Sequence, residues 1–518
     1  MRDKGRMMNI CLLNDSFPPV IDGVANVVMN YGKILTRDLG ANVIVGTPKY
    51  PGENYEGYPY KVVPYKSLDT TDFIAGYRTG NPLAMREIGQ MAEFAPDIIH
   101  THCPASSTIM ARILQNETGA PIVFTYHTKF DVDIARAVGD GFLKNETIKA
   151  MISNISACDE VWVVSQGAGE NLKSLGYEGE YRVVSNGVDF PKGRADDLLV
   201  AETTKDYDLP KDVPMFLFVG RIMKYKGLPI IIDAMKLLDE KEIDFRMVFV
   251  GGGADADEMK EKVKGYGLES KVIFTGPEHD REKLRAWNTR ADLFLFPSVY
   301  DTNGIVVREA AACGLGSVLI EGSCAAEGIT HGRNGYLIEE NAESMAALLE
   351  EVSKNLDSAH DVGQHAMDEI YISWEDSVKD AYRRYEEIRQ MVADGRIVRR
   401  KKHGSDYFLE SAAGIVKGTE HVFDIPRNIY GGMKENFEEF KDNVEEFRDN
   451  LEEFRGNFSE NLKGNIEEFR DNISENLKDN IEDIKDLPDN IKDNIKDNFN
   501  EMKEDWENLK EKTIWKLK

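Results

Sequence analysis

From residue 8 onward, short apolar runs alternate with longer segments in which apolar residues recur at helical spacing. The runs fall at 8–13, 42–46, 97–100, 121–126, 160–164 and 181–184, and each would be apolar on both faces of a strand. Strands buried on both faces belong to parallel sheets covered by helices. After a polar stretch at 192–213 the pattern restarts at 215–219, 245–250, 271–274, 293–297 and 317–320. The expected fold is therefore α/β, with two doubly wound parallel-sheet (Rossmann-like) domains at 7–190 and 191–371, followed by a helix at 372–393 that crosses back to the first domain. Two such sheets present the carboxyl ends of their strands to a shared cleft, where open α/β sheets bind ligands.

The pattern changes after this helix. Residues 394–430 read as a linker that opens on a basic cluster of Arg396, Arg399, Arg400, Lys401, Lys402 and His403. Residues 431–518 read as an acidic amphipathic helical tail, with 15 basic and 26 acidic residues. Between Phe437 and Leu509 its apolar residues recur at an average step of 3.6, the turn of a straight helix, where a left-handed coiled coil needs 3.5. Gly456, Gly464 and Pro488 interrupt or loosen it. The tail has three competing readings: a helix lying on a membrane surface, a self-associating helix, and a solvated extension. The straight stripe and the basic cluster before it favour a lipid surface. The acidic polar face opposes one.

Composition narrows the classes. The chain has 518 residues, 42% of them hydrophobic, and a formal charge of -27, which sets an unfavourable field against nucleic acid phosphates, so no nucleic-acid partner is expected. The five cysteines, Cys11, Cys103, Cys158, Cys313 and Cys324, are scattered with no CxxC pair, and read as reduced core residues of a cytoplasmic protein. No apolar run is long enough to span a bilayer, and the first residues lack the pattern of a signal peptide. The expected location is cytoplasmic, with the inner membrane face open to the tail.

The most informative segment is Pro297-Ser298-Val299-Tyr300-Asp301-Thr302-Asn303-Gly304-Ile305-Val306-Val307-Arg308-Glu309. An apolar strand ends at Pro297, a polar loop follows, and a helix opens near Gly304 with its first N–H groups turned to the cleft, an arrangement that binds phosphate. Asp301 and Glu309 stand eight apart and could both reach a polyhydroxylated ligand; the alternative is a capping aspartate and an ordinary helix glutamate. The segment resembles the E-x7-E motif of the family 4 retaining glycosyltransferases, which have the two-domain GT-B architecture and use nucleotide-sugar donors. Phe218-Val219-Gly220-Arg221 with Lys226-Gly227 is similar to the family's G-R-x4-K-G segment. Asn14-Asp15-Ser16-Phe17-Pro18-Pro19-Val20-Ile21-Asp22-Gly23 resembles its N-terminal loop. Pro96-Asp97-Ile98-Ile99-His100-Thr101-His102 and Phe124-Thr125-Tyr126-His127-Thr128 resemble its two histidine motifs. Ser185-Asn186-Gly187-Val188-Asp189 and Ser373-Trp374-Glu375 resemble its inter-domain signature and the start of its last helix.

The resemblance implies a metal-independent hexosyltransferase that moves a sugar, with retention, from a nucleoside diphosphate sugar to an acceptor hydroxyl, which the tail suggests belongs to a membrane lipid. It implies no cofactor beyond that co-substrate. By it, His127, Asp301 and Glu309 are the expected catalytic residues, and Gly23, Arg221, Lys226, Asn303, Gly304, Ile305 and Glu309 bind the donor. An arginine and a lysine beside a helix N-terminus suit the charge that grows on a departing diphosphate. The sequence departs from the family where Asp301 replaces the first glutamate of the pair, Thr302-Asn303 stand where Pro-Phe is common, and Tyr225 replaces a frequent glutamate. The strings Asp131-Val132-Asp133 and Asp255-Ala256-Asp257 read as coincidental, so no metal site is expected. Competing readings are an epimerase or phosphorylase of the same fold, and a nucleotide-sugar-binding scaffold without turnover.

Overall fold

The computed structural model describes residues 6–397, except 21, 70–77, 132–133 and 135–141; the expected tail at 431–518 and nearly all of the linker lie outside the described residues. By compactness the chain divides in two. One unit holds both sheets; the described residues of the other are Leu83–Glu93, with the helix Met85–Glu93, and Arg112–Glu117.

The first sheet holds seven parallel strands: β1 (Asn9–Leu13), β2 (Asn42–Pro48), β3 (Lys61–Tyr65), β6 (Ile98–Thr101), β7 (Ile122–Tyr126), β8 (Glu160–Val163) and β9 (Arg182–Val183), in the order β3-β2-β1-β6-β7-β8-β9. Its central strands are buried along nearly their whole length, as in Ile-Val-Phe-Thr-Tyr of β7. Between β3 and β6 a short antiparallel pair, β4 (Ser67–Asp69) and β5 (Arg78–Gly80), stands apart. The second sheet holds six parallel strands, β10 (Met215–Val219), β11 (Arg246–Val250), β12 (Val272–Gly276), β13 (Leu293–Phe296), β14 (Ser317–Ile320) and β15 (Tyr336–Ile338), in the order β12-β11-β10-β13-β14-β15. Met-Phe-Leu-Phe-Val of β10 is buried throughout, at the centre of a core that also takes in Phe249, Phe294 and Phe296.

The order of strands reverses once in each sheet. After β1 the chain builds outward through β2 and β3, then returns to lay β6 on the other side of β1; after β10 it builds through β11 and β12, then returns to lay β13 beside β10. At a reversal, the loops leaving two adjacent strands diverge to opposite faces and leave a crevice at their carboxyl ends.

The helix Trp374–Ala393 is capped by Ser373, whose side chain accepts from the Asp376 amide, and buries Trp374, Val378, Ala381, Tyr385 and Ile388 in the core of the first sheet. Arg384 forms an ion pair with Glu160 at 2.5 Å, and the Tyr385 ring stacks on Trp162 at 5.4 Å. The Tyr385 hydroxyl meets His100 Nδ1 at 2.5 Å in a fully buried contact. Removing it would leave an imidazole nitrogen unpaired in the core. Tyr385→Phe is therefore expected to lower the unfolding free energy by about 1–3 kcal/mol, read as a shift of the urea midpoint.

Candidate functional site

The two reversals place the candidate residues. Gly220 and Arg221 leave β10, while Pro297 and Ser298 leave β13 beside it. Gly227, at φ 79°, lets the turn after Arg221 pass close under the β13 exit, since a Cβ there would lie 2.1 Å from the Pro297 carbonyl oxygen. That close pass delivers Lys226 to the loop. The Lys226 ammonium donates to both Asp301 carboxylate oxygens, at 2.7 and 2.9 Å, and the Ser298 hydroxyl donates to Asp301 Oδ2 at 2.5 Å. Lys226 is 9% exposed and its ammonium also faces the Phe296 ring at 5.3 Å. Three donors on the ammonium leave one N–H for a ligand. Arg221 is exposed and donates to the Tyr225 hydroxyl at 3.1 Å.

Gly304 caps the helix Ile305–Ala312 in the left-handed region, at φ 57°, and no side chain caps its first turn. The Ile305 end of this helix therefore offers backbone N–H groups at the end of the loop whose Asp301 holds Lys226. Asn303 does not point freely from the loop: its amide donates to the Val164 carbonyl at 2.7 Å, and its carbonyl oxygen accepts from Arg308. Burial pushes the Arg308 guanidinium down to about 10, opposed by the charge of Glu327. Glu309 is buried and accepts from Arg281 Nη2 at 2.5 Å, while Arg281 also lies 3.8 Å from Asp189 and over the Phe190 ring. Burial pushes the Glu309 carboxyl up and Arg281 opposes it.

On the first sheet, His127 follows β7 and its Nε2 shares a hydrogen bond with His102 Nδ1 at 3.0 Å. The His102 ring lies 4.0 Å from that of His100, which contacts Thr125 and Tyr385. Desolvation pushes all three imidazoles down, His127 to about 3, so they are neutral at pH 7. The Thr302 hydroxyl donates to the His127 carbonyl at 2.5 Å, so the loop after β13 meets the strand end that carries His127. Gly23 opens the helix Gly23–Arg37, where Asp22 accepts from the Ala25 amide, and a Cβ on Gly23 would meet no atom within 4 Å. Among the described residues, no hydrogen bond ties Gly23 to the other site residues. In the same loop Asp15, half-buried, accepts from the Ser107 amide at 2.8 Å, and burial pushes its carboxyl up to about 6.

The structure thus brings Lys226, Asp301, Asn303, Gly304, Ile305 and His127 onto facing loops, and sets Glu309 one layer behind with Arg281. Sequence reasoning passed over Ser298, Arg281, Arg308, His102 and Glu327 as partners. Only His102 carried a signal, its place in a histidine motif; Arg281 and Glu327 meet partners distant in the chain, while Ser298 and Arg308 meet near ones without a local pattern that marks them. Asp255 of the second D-x-D string accepts from the Lys224 amide at 2.7 Å, which explains it as a turn residue.

Comparison with known proteins bears on the family and the fold. The model of Glycosyltransferase Family 4 matches residues 21–191, and that of Glycosyl transferases group 1 matches residues 200–368. Sulfoquinovosyl transferase SQD2 of Arabidopsis thaliana is 28% identical over 57% of this chain and 56% of its own length. Alpha-monoglucosyldiacylglycerol synthase of Streptococcus pneumoniae is 23% identical over 59% of this chain and 70% of its own. The chain thus spans little more than half the length of the first of these relatives. Among solved structures, Anabaena HepE in complex with UDP superposes with a TM-score of 0.59 at 17% identity, covering 73% of this chain and all of that one; this likeness is one of fold. The fold and its paired crevices are those of a GT-B glycosyltransferase. The chain belongs to glycosyltransferase family 4, and the two family models together span about two thirds of it.

The buried imidazoles set a pH dependence. Each protonates more readily in the unfolded chain, near the ordinary value of 6.5, than in the fold. Their contribution is complete above that value and is lost as pH falls below it. Unfolding free energy is expected to drop by about 1 kcal/mol per histidine between pH 7.5 and 5.5, with His102→Gln losing one share, as read from urea midpoints.

Proposed function

We propose that this protein is a retaining hexosyltransferase that takes its sugar from a nucleoside diphosphate donor and delivers it to a hydroxyl of a membrane lipid at the cytoplasmic face. The observation that carries the reading is the crevice at the β10/β13 reversal, whose two exit loops carry Arg221, Lys226 and the open N-terminus of Ile305–Ala312. A diphosphate is the ligand such a set of donors suits. UDP in the structurally similar HepE supports a uridine donor. The lipid acceptor is supported by the similarity to an alpha-monoglucosyldiacylglycerol synthase; among the described residues no helix is long and apolar enough to cross a membrane. The five cysteines are not joined in disulfides, which fits a reducing compartment.

In this reading the acceptor hydroxyl attacks the anomeric carbon on the face from which the diphosphate leaves. The bond to the phosphate oxygen breaks, and the acceptor proton passes to that departing oxygen, so no side chain is needed as base. Arg221, Lys226 and the Ile305 amide take up the charge on the leaving group. His127 faces the sugar as a neutral hydrogen-bonding group, Asp301 and Asn303 fix the loop, and Glu309 with Arg281 bounds the nucleoside side. Relatives named as transferases favour this over an epimerase or a scaffold.

Nucleotide release across a panel of UDP- and GDP-sugars, with and without diacylglycerol vesicles, tests it. Release from one donor, stimulated by the vesicles, is expected, and Lys226→Ala should lower it by about 100-fold or more while Glu309→Ala also impairs it. Binding without release would support the scaffold; conversion of a donor without any acceptor would support the epimerase.

A further inference from the structure

The helix Gln166–Ser174 follows β8 on the first sheet. Its cap, Ser165, accepts from the Ala168 amide and leaves the first two amides of the helix to other partners. Those partners come from the other sheet. Glu327, which follows the short turn Cys324–Ala326 after β14, accepts from the Gln166 amide at 2.7 Å with one carboxylate oxygen and from the Gly167 amide at 2.6 Å with the other. The seam is tight because residue 167 is glycine: a Cβ there would lie 2.6 Å from Cys324 Sγ and 3.7 Å from Cys324 Cβ.

Among the described residues, further bonds cross this seam from the loop after β13. Lys129 donates to the Val299 carbonyl at 3.0 Å, Thr302 to the His127 carbonyl, and Asn303 to the Val164 carbonyl. Glu327 differs from them. It supplies a full charge to a helix N-terminus, where both the amides and the aligned peptide dipoles favour it. It stands outside the loop, and its charge also acts on Arg308, the residue that holds Asn303 from below.

We propose that Glu327 is a positioning residue for sugar transfer: by capping the helix Gln166–Ser174 from the opposite sheet, it sets the spacing between the 298–305 loop and His127 and so the shape of the donor subsite. This rests on the reading that the loop and His127 frame the donor.

Two measurements test it. In the ligand-free protein, Glu327→Ala should speed hydrogen exchange of the Gln166 and Gly167 amides by about 10-fold or more, since they lose their acceptor. The same variant should raise KM for UDP-glucose about 10-fold while kcat changes less than about threefold, and Glu327→Gln, which keeps one acceptor oxygen, should fall between it and the wild type. The second variant replaces the ionic link by a covalent one. In Glu327→Ala combined with Gly167→Cys, the introduced thiol faces native Cys324 at a Cβ separation suited to a disulfide. The two thiols pass two electrons and two protons to oxidised glutathione, which leaves as two reduced molecules. Peptide mapping should find the 167–324 bond, KM should return to within about threefold of the wild type, and dithiothreitol should reverse the recovery. Unchanged exchange and KM in Glu327→Ala, no 167–324 bond, or a bond that fails to restore KM would each overturn the proposal. If the wild type turns over no nucleotide sugar, the proposed function fails, while wild-type protection of the two amides that Glu327→Ala leaves intact would separately refute the cap.

Discussion

Everything in the site depends on one reversal of strand order in each sheet. Parallel strands send all their carboxyl ends to one side, and a reversal makes two adjacent exits part company, so that a crevice opens without any residue being removed from the core. At the β10/β13 reversal the diverging exits carry Arg221 and Ser298, and the Gly227 turn folds Lys226 back under the second exit. At the β1/β6 reversal they carry the 14–23 loop and His102, with His127 on the next strand. The charged and polar groups are thus held by strands that are themselves fully buried, and the cores that fix them are the Phe-rich second sheet and the first sheet sealed by Trp374–Ala393.

The charge at these exits is balanced before any ligand arrives. The chain carries a formal charge of -27, yet the crevice gathers Arg221, Lys226, Arg281 and Arg308. Lys226 is matched by Asp301 and Arg281 by Glu309, while Arg308 donates from Nη1 to the Asn303 and Asn186 carbonyl oxygens and keeps its buried Nε without an acceptor among the described residues. A diphosphate entering such a set meets cations that are already oriented and partly desolvated, and it supplies a further acceptor at little reorganisation cost. The imidazoles of His100, His102 and His127 are neutral for a separate reason: the His102 and His127 rings stack, the His100 ring lies tilted 4.0 Å from His102, and burial opposes charge on each.

Much of this was legible in the sequence, and the physical reason separates what was from what was not. The central strands announce themselves because burial on both faces demands continuous apolar runs, as in 215–219 and 293–297. The edge strands β3 and β15 escape the same reading. Lys61-Val62-Val63-Pro64-Tyr65 has one neighbour only, tolerates a proline that has no N–H to give, and alternates in burial; Tyr336–Ile338 is three residues long. Among site residues, those on loops at strand ends keep a fixed spacing from the strand and can be read. Arg281, Arg308 and Glu327 act through partners 28, 5 and 161 positions away, on helices or turns whose local pattern is ordinary.

The departure from the family at residue 301 shows how the two kinds of residue are coupled. Both carboxylate oxygens of Asp301 are engaged, by the Lys226 ammonium and the Ser298 hydroxyl, and its shorter side chain keeps it close to the β13 exit where those partners sit. A residue so committed acts on a ligand mainly through the lysine it orients. The loop beyond it is then fixed by other means, with Thr302 on the His127 carbonyl and Asn303 between Val164 and Arg308, at the two positions where Pro-Phe is common. The three changes therefore belong together: a shorter acid gives up reach toward the crevice, and two hydrogen-bonding side chains in place of Pro-Phe tie the loop to the opposite sheet. On this account the loop's stiffness comes from across the seam, and the side chains that hold the seam shape the site as much as those that line it.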